Sequence, residues 1–130
     1  MDLLKIAEKT SIKASEIAKN FLKDAVVLSN QNKDIKTLAD EEINDCIIIE
    51  LKKTKISIIS EEIDNGNIDF SKRCWIIDPL DGTLNFSRQF PCSSISIALW
   101  DNFMPTLGLV KNIFDGSSYT SFLNQGTKKK

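Results

Sequence analysis

Asp78 and Asp81 stand three residues apart, with Gly82 and Thr83 directly behind them, where the apolar run Trp75-Ile-Ile77 ends. Carboxylates delivered together by a strand end suit a hard divalent cation such as Mg²⁺ or Mn²⁺. Pro79 fixes φ and allows a turn at the strand end, so both acids can aim at one cavity. Gly82 lets the backbone approach a ligand closely, and if Thr83 to Phe86 begins a helical turn its N–H groups would face a phosphate oxygen. Upstream, Glu61 and Glu62 follow another short apolar run, Ile56-Ser-Ile-Ile59, so carboxylates could converge from the ends of neighbouring strands. From the residues alone, solvated acids on a Pro-Leu-Asp-Gly turn, and a Glu61 that merely ends a strand, are the competing readings.

The rest of the inventory narrows the chemistry. Histidine is absent, which excludes a Ser-His-Asp triad, a Cys-His nucleophile and histidine-rich zinc sites. No cysteine is followed six positions later by arginine, and no glycine opens a Gly-x-x-x-x-Gly-Lys phosphate loop. Oxygen ligands remain. A net charge of -1 supplies no broad basic field for nucleic acid or anionic lipid. Cys46, Cys74 and Cys92 are an odd set without a Cys-x-x-Cys pair, which fits reduced, buried thiols rather than a disulfide framework.

The elements that must position these residues can be read from periodicity. Leu4, Ala7, Ser11, Ala14, Ala18, Phe21, Ala25 and Leu28 recur at steps of three and four, which predicts one long helix over residues 3–28. Asn30-Gln-Asn-Lys-Asp34 interrupts it, and a second helix carrying Ile43, Ile47 and Leu51 follows Thr37 and Asp40, closing at Lys52, Lys53 and Lys55. Strands are predicted at Ile56–Ile59, Trp75–Ile77, Ile95–Leu99, Thr106–Val110 and Tyr119–Phe122, with Asp101-Asn102 a turn and Gly126–Lys130 a frayed, solvated tail. Helices first and a mainly antiparallel sheet after them predict an α+β chain: one domain over residues 1–130, a helical hairpin packed on one sheet face. The chain enters a charged amphipathic pattern at once and has no apolar run near bilayer length, so the expectation is a soluble, cytoplasmic protein.

Taken whole, Trp75-Ile-Ile-Asp-Pro-Leu-Asp-Gly-Thr-Leu-Asn-Phe86 resembles the signature of the inositol monophosphatase family almost position by position. The resemblance extends through Lys33-Asp-Ile-Lys-Thr-Leu-Ala-Asp40, Ser60-Glu61-Glu62 and Ile95 to Val110. It implies a Mg²⁺-dependent, lithium-sensitive phosphomonoesterase with a layered αβαβα fold, commonly a dimer, of which this sequence corresponds to the N-terminal half. Position by position, it implies metal binding by Glu61, Asp78, Asp81 and the Leu80 carbonyl. Substrate contacts fall on Glu61, Asp81, Gly82 and Thr83. Asp40 and Thr83 are implied as the catalytic dyad that orients the attacking water, although Thr37-x-x-Asp40 also reads as a capping box at the start of the second helix.

The resemblance further implies hydrolysis of a small phosphate monoester by metal-activated water, without a covalent phosphoenzyme. The sequence does not contain the counterpart of the family's Trp-Asp segment, which supplies a further metal-binding acid, so weak Mg²⁺ binding and slow turnover are expected. Ser60-Glu61-Glu62 and Pro79-Leu80-Asp81 are nearer the branch acting on 3'-phosphoadenosine 5'-phosphate. Thr83-Leu-Asn-Phe86 is nearer the inositol and sugar phosphate branch. The alternative from another class is a non-catalytic folding or dimerisation module that retains the loop by descent.

Overall fold

The computed structural model describes residues 2–23, 35–60, 68–88 and 90–130. Helix α1, Leu3–Lys23, opens on Asp2, whose Oδ1 accepts from the Lys5 amide at 3.2 Å and so satisfies one of the free N–H groups of the first turn. Its buried stripe is made of small residues, Ala7, Thr10, Ser11, Ala14, Ser15 and Ala18. Small side chains let helix α2, Ile35–Lys52, come close, and α2 answers with Ala39, Ile43, Ile47 and Leu51, all fully buried. The Thr10 and Ser11 hydroxyls donate to the carbonyls of Ile6 and Glu8, so burial leaves neither unsatisfied. The predicted extension of the first helix to Leu28, and the turn at Asn30–Asp34, lie outside the described residues.

At the end of α2 the chain turns through Lys55, at φ 60°, and Thr54 locks the turn. The Thr54 Oγ1 donates to the Leu51 carbonyl at 2.6 Å and accepts from the Trp75 Nε1 at 3.0 Å. Trp75 is fully buried beneath that bond.

Six strands follow: β1 Ser57–Ser60, β2 Cys74–Asp81, β3 Ser94–Asp101, β4 Met104–Asn112, β5 Ser118–Phe122 and β6 Thr127–Lys129. They lie in one sheet in chain order, with β1 and β2 parallel and every later pair antiparallel. Between β2 and β3 sits a short helix, α3, Thr83–Ser87. Alternation assigns the faces: Trp75, Ile77, Ile95, Ile97, Leu99, Leu107 and Leu109 are buried toward α1 and α2, while Ser96 and Ala98 on the other face are half-buried. The α+β layering expected from the sequence is therefore present.

Two expectations change. Residues 127–129 are not a frayed tail but the edge strand β6, held by pairing with β5, by Lys129 lying over the Tyr119 ring and by a Lys130–Glu8 ion pair. Backbone pairing outweighs the polar composition that suggested fraying. The three thiols are free, as expected, but only Cys74 is buried; Cys46 is half-buried and Cys92 exposed.

Candidate active site

Residues three apart on a regular strand point to opposite faces, so Asp78 and Asp81 need a device to act together. That device is a β-bulge. Asp78 pairs with Ser96 and Asp81 with Ser94, so three steps along β2 match two along β3. The extra residue restores the phase and brings both acids to the face turned away from α1 and α2. The sequence reading placed a proline turn here; instead β2 continues through Asp81, and Pro79, which has no N–H to offer the ladder, occupies the bulge. Pro79 and Leu80 are both buried, Leu80 within the hydrophobic core.

Gly82 follows at φ +79°, a conformation that favours glycine, and the Phe86 amide donates back to the Gly82 carbonyl at 2.9 Å to close α3. Thr83 is the first residue of that helix. A Cβ on Gly82 would lie 2.7 Å from the Cys92 carbonyl oxygen. The close approach that requires glycine is therefore to the returning chain. The same Cys92 oxygen accepts from the Asn85 Nδ2 at 3.0 Å. Alongside lies an open cavity of about 430 Å³ whose walls include Asp81, Gly82, Asn85, Ser94, Asn112 and Tyr119.

Asp40 is buried within α2, and because that helix begins at Ile35, Thr37 and Asp40 stand inside it rather than at its entrance. The capping-box reading does not describe it. Helices α2 and α3 pack on each other, which brings the element carrying Asp40 beside the one carrying Thr83. One turn further along α2, Asn44 accepts from the Ser60 hydroxyl at 2.6 Å. Sequence reasoning passed over this pair. The signal was present as an Asn four residues after Asp40, one helical turn on, amid buried isoleucines.

Glu61, expected to bind metal and substrate, lies outside the described residues. Among the described residues no three acids or thiols gather into a metal-holding cluster. By strand register Asp78 and Asp81 nevertheless share one face of the sheet, and their donors are hard oxygens of the kind Mg²⁺ takes. In ligand type the residues fit such an ion.

The sequence profile of the inositol monophosphatase family matches residues 1–130, the whole chain. This chain belongs to the inositol monophosphatase family. Inositol monophosphatase 3 of Solanum lycopersicum is 34% identical over 129 residues, covering 95% of this chain and 48% of that protein. The Inositol-1-monophosphatase of Synechocystis is 41% identical over 85 residues, 62% of this chain and 29% of that one. Among solved structures, inositol monophosphatase II of Staphylococcus aureus superposes with a TM-score of 0.87 at 27% identity, over 99% of this chain and 49% of that one. Related structures of SaIMPase-II, each 29% identical, contain 2'AMP and inositol monophosphate; they match with TM-scores of 0.83 and 0.80 over 99% of this chain and 48% and 47% of theirs. The chain thus spans about half the length of the inositol monophosphatases it matches end to end.

Proposed function

We propose that this chain forms the N-terminal half of a Mg²⁺-dependent phosphomonoesterase that hydrolyses a small phosphate monoester. The observation that carries the reading is the bulge that gives Asp78 and Asp81 a common face immediately before Gly82 and Thr83. Asp78, Asp81, the Leu80 carbonyl and Glu61 would hold the cation. When bound, Mg²⁺ lowers the pKa of water and offsets phosphate charge.

The chain's own groups then have distinct tasks. The Gly82 and Thr83 amides would orient the phosphate and meet its equatorial oxygens, where donors fixed in advance need no reorganisation as charge develops. The Thr83 hydroxyl, in a hydrogen bond to Asp40, would orient the attacking water and relay its proton to the Asp40 carboxylate. Packing of α2 against α3 supports that pairing. Substrate is an inositol phosphate, a sugar phosphate or a bisphosphorylated nucleotide. Lithium inhibition, cytoplasmic location and homodimer formation belong to the same proposal. No described helix is long and apolar enough to cross a membrane.

Phosphate release from inositol 1-phosphate, fructose 1,6-bisphosphate and 3'-phosphoadenosine 5'-phosphate tests the reading on purified chain. Slow release that requires Mg²⁺ and disappears in Asp81→Asn is expected. Release indifferent to chelator and to Asp81→Asn would overturn it. The competing reading is a non-catalytic folding or dimerisation module. A stable oligomer with no heat on Mg²⁺ titration would select it.

A further inference from the structure

Asn85 lies three residues past Gly82 and is bonded to the returning chain twice. Its Nδ2 donates to the Cys92 carbonyl at 3.0 Å, and its own carbonyl accepts from the Phe90 amide at 2.8 Å. The Cys92 oxygen that receives the side chain is also the atom 2.7 Å from where a Gly82 Cβ would stand. A closed ring results: Gly82 leads into α3, Asn85 projects from α3 to Cys92, and the Cys92 carbonyl returns to the surface of Gly82. Two residues beyond Cys92, Ser94 pairs with Asp81.

We propose that Asn85 is a positioning residue for the phosphate loop, acting through the Cys92 carbonyl to set where the Gly82 amide points. This rests on the phosphatase reading of the same loop. A glycine at positive φ has the widest conformational choice of any residue, and nothing in its own side chain restricts it. Here the restriction comes from outside, from a carbonyl that closes off the space beside Gly82 only while it is held. Asn85 is suited to hold it, because its amide donates while carrying no charge. An aspartate of the same shape could not donate in its ionised form and would bring a further negative charge beside Asp81.

Amide hydrogen exchange and titration with inorganic phosphate in the presence of Mg²⁺, both read by NMR, test this on the chain as it is. Asn85→Ser and Asn85→Ala are compared with an exposed loop control, Arg88→Ala. Without ligand, both Asn85 variants should speed exchange at Gly82 while α1 and β5 keep their protection. Unchanged exchange at Gly82 overturns the inference. With Mg²⁺ present, phosphate should shift the Gly82 and Thr83 amides of the natural chain, with affinity falling roughly fivefold to tenfold in the variants, the scale of one hydrogen bond. Mg²⁺ affinity should stay within about twofold, a split that general loosening of the fold would not produce. Full phosphate affinity in both variants overturns the positioning role alone. Failure of the natural chain to respond to phosphate overturns the phosphatase reading, and the inference falls with it.

Discussion

The Ser60 hydroxyl, at the end of β1, donates to the Asn44 Oδ1 in α2 at 2.6 Å, with both residues buried. The bond ties the helix of Asp40 to the strand whose next residue in sequence is Glu61. Ser60→Ala removes the donor and leaves a buried amide oxygen short of a partner, which costs about 1–3 kcal/mol. Urea unfolding of Ser60→Ala, Asn44→Ala and the double variant should show the double costing less than the two singles together. Additive costs would show that the pair is not coupled.

Thr54 ties α2, β2 and the turn before β1 together with one hydroxyl: it donates to Leu51, accepts from Trp75 and accepts from the Ile56 amide at 3.3 Å. Thr54→Val keeps the shape and strips the indole N–H of its acceptor inside the core. A loss of about 1–3 kcal/mol is expected, with a shift in Trp75 emission. Thr54→Ser, which keeps the hydroxyl, should lose much less in the same urea experiment.

Gly82 and Gly126 both have positive φ, +79° and +71°, but only Gly82 has the Cys92 oxygen against it; nothing lies within 4 Å of a Cβ at Gly126. Gly126→Ala therefore pays for backbone conformation alone, about 1 kcal/mol. Gly82→Ala adds a clash with main chain and should lose at least about 1–3 kcal/mol more. Equal midpoints in thermal melts of the two variants would show that the contact at Gly82 relaxes freely.

The layering was legible because the period of apolar residues changes from helical to alternating between Leu51 and Ile56, and no tertiary information is needed to see that. The bulge was not. Pro79 announced an irregularity, but turn and bulge begin with the same residue, and only the register against Ser94 and Ser96 separates them. β6 escaped for a related reason, since Lys128 and Lys129 have weak strand preference and are held by a neighbour rather than by their own side chains. Side-chain ties such as Asn44–Ser60 and Asn85–Cys92 depend on contacts the sequence does not print. The acids and glycine of the loop could be named from sequence, but not what holds them in place.

The thiols differ in a way that alkylation reads directly. Cys92 is exposed, whereas Cys74 is buried and burial pushes its thiol above the ordinary range, which withholds the reactive thiolate. Iodoacetamide at pH 8 should modify Cys92 first and Cys74 only on unfolding, with Cys46 between them. Peptide mass spectrometry over time checks the order, and early labelling of Cys74 would contradict its placement.

Glu50 accepts from Lys13 of α1 at 2.9 Å and from Lys53 at 3.0 Å, joining the two helices on their outer side. These hydrogen bonds, Lys13 first, hold its carboxyl below the ordinary glutamate value of 4.5. A lowered folded value means that the stabilising contribution is present above the unfolded value and disappears as pH falls through the folded one. Glu50→Gln should therefore melt lower than the natural chain at pH 7, by about 2 °C, the scale of an exposed pair in a chain of this size. The gap should close as pH is taken below the carboxylate range, and should narrow in 1 M salt, where the Debye length is about 3 Å. A gap that persists at low pH would assign the effect to packing of the side chain rather than to its charge.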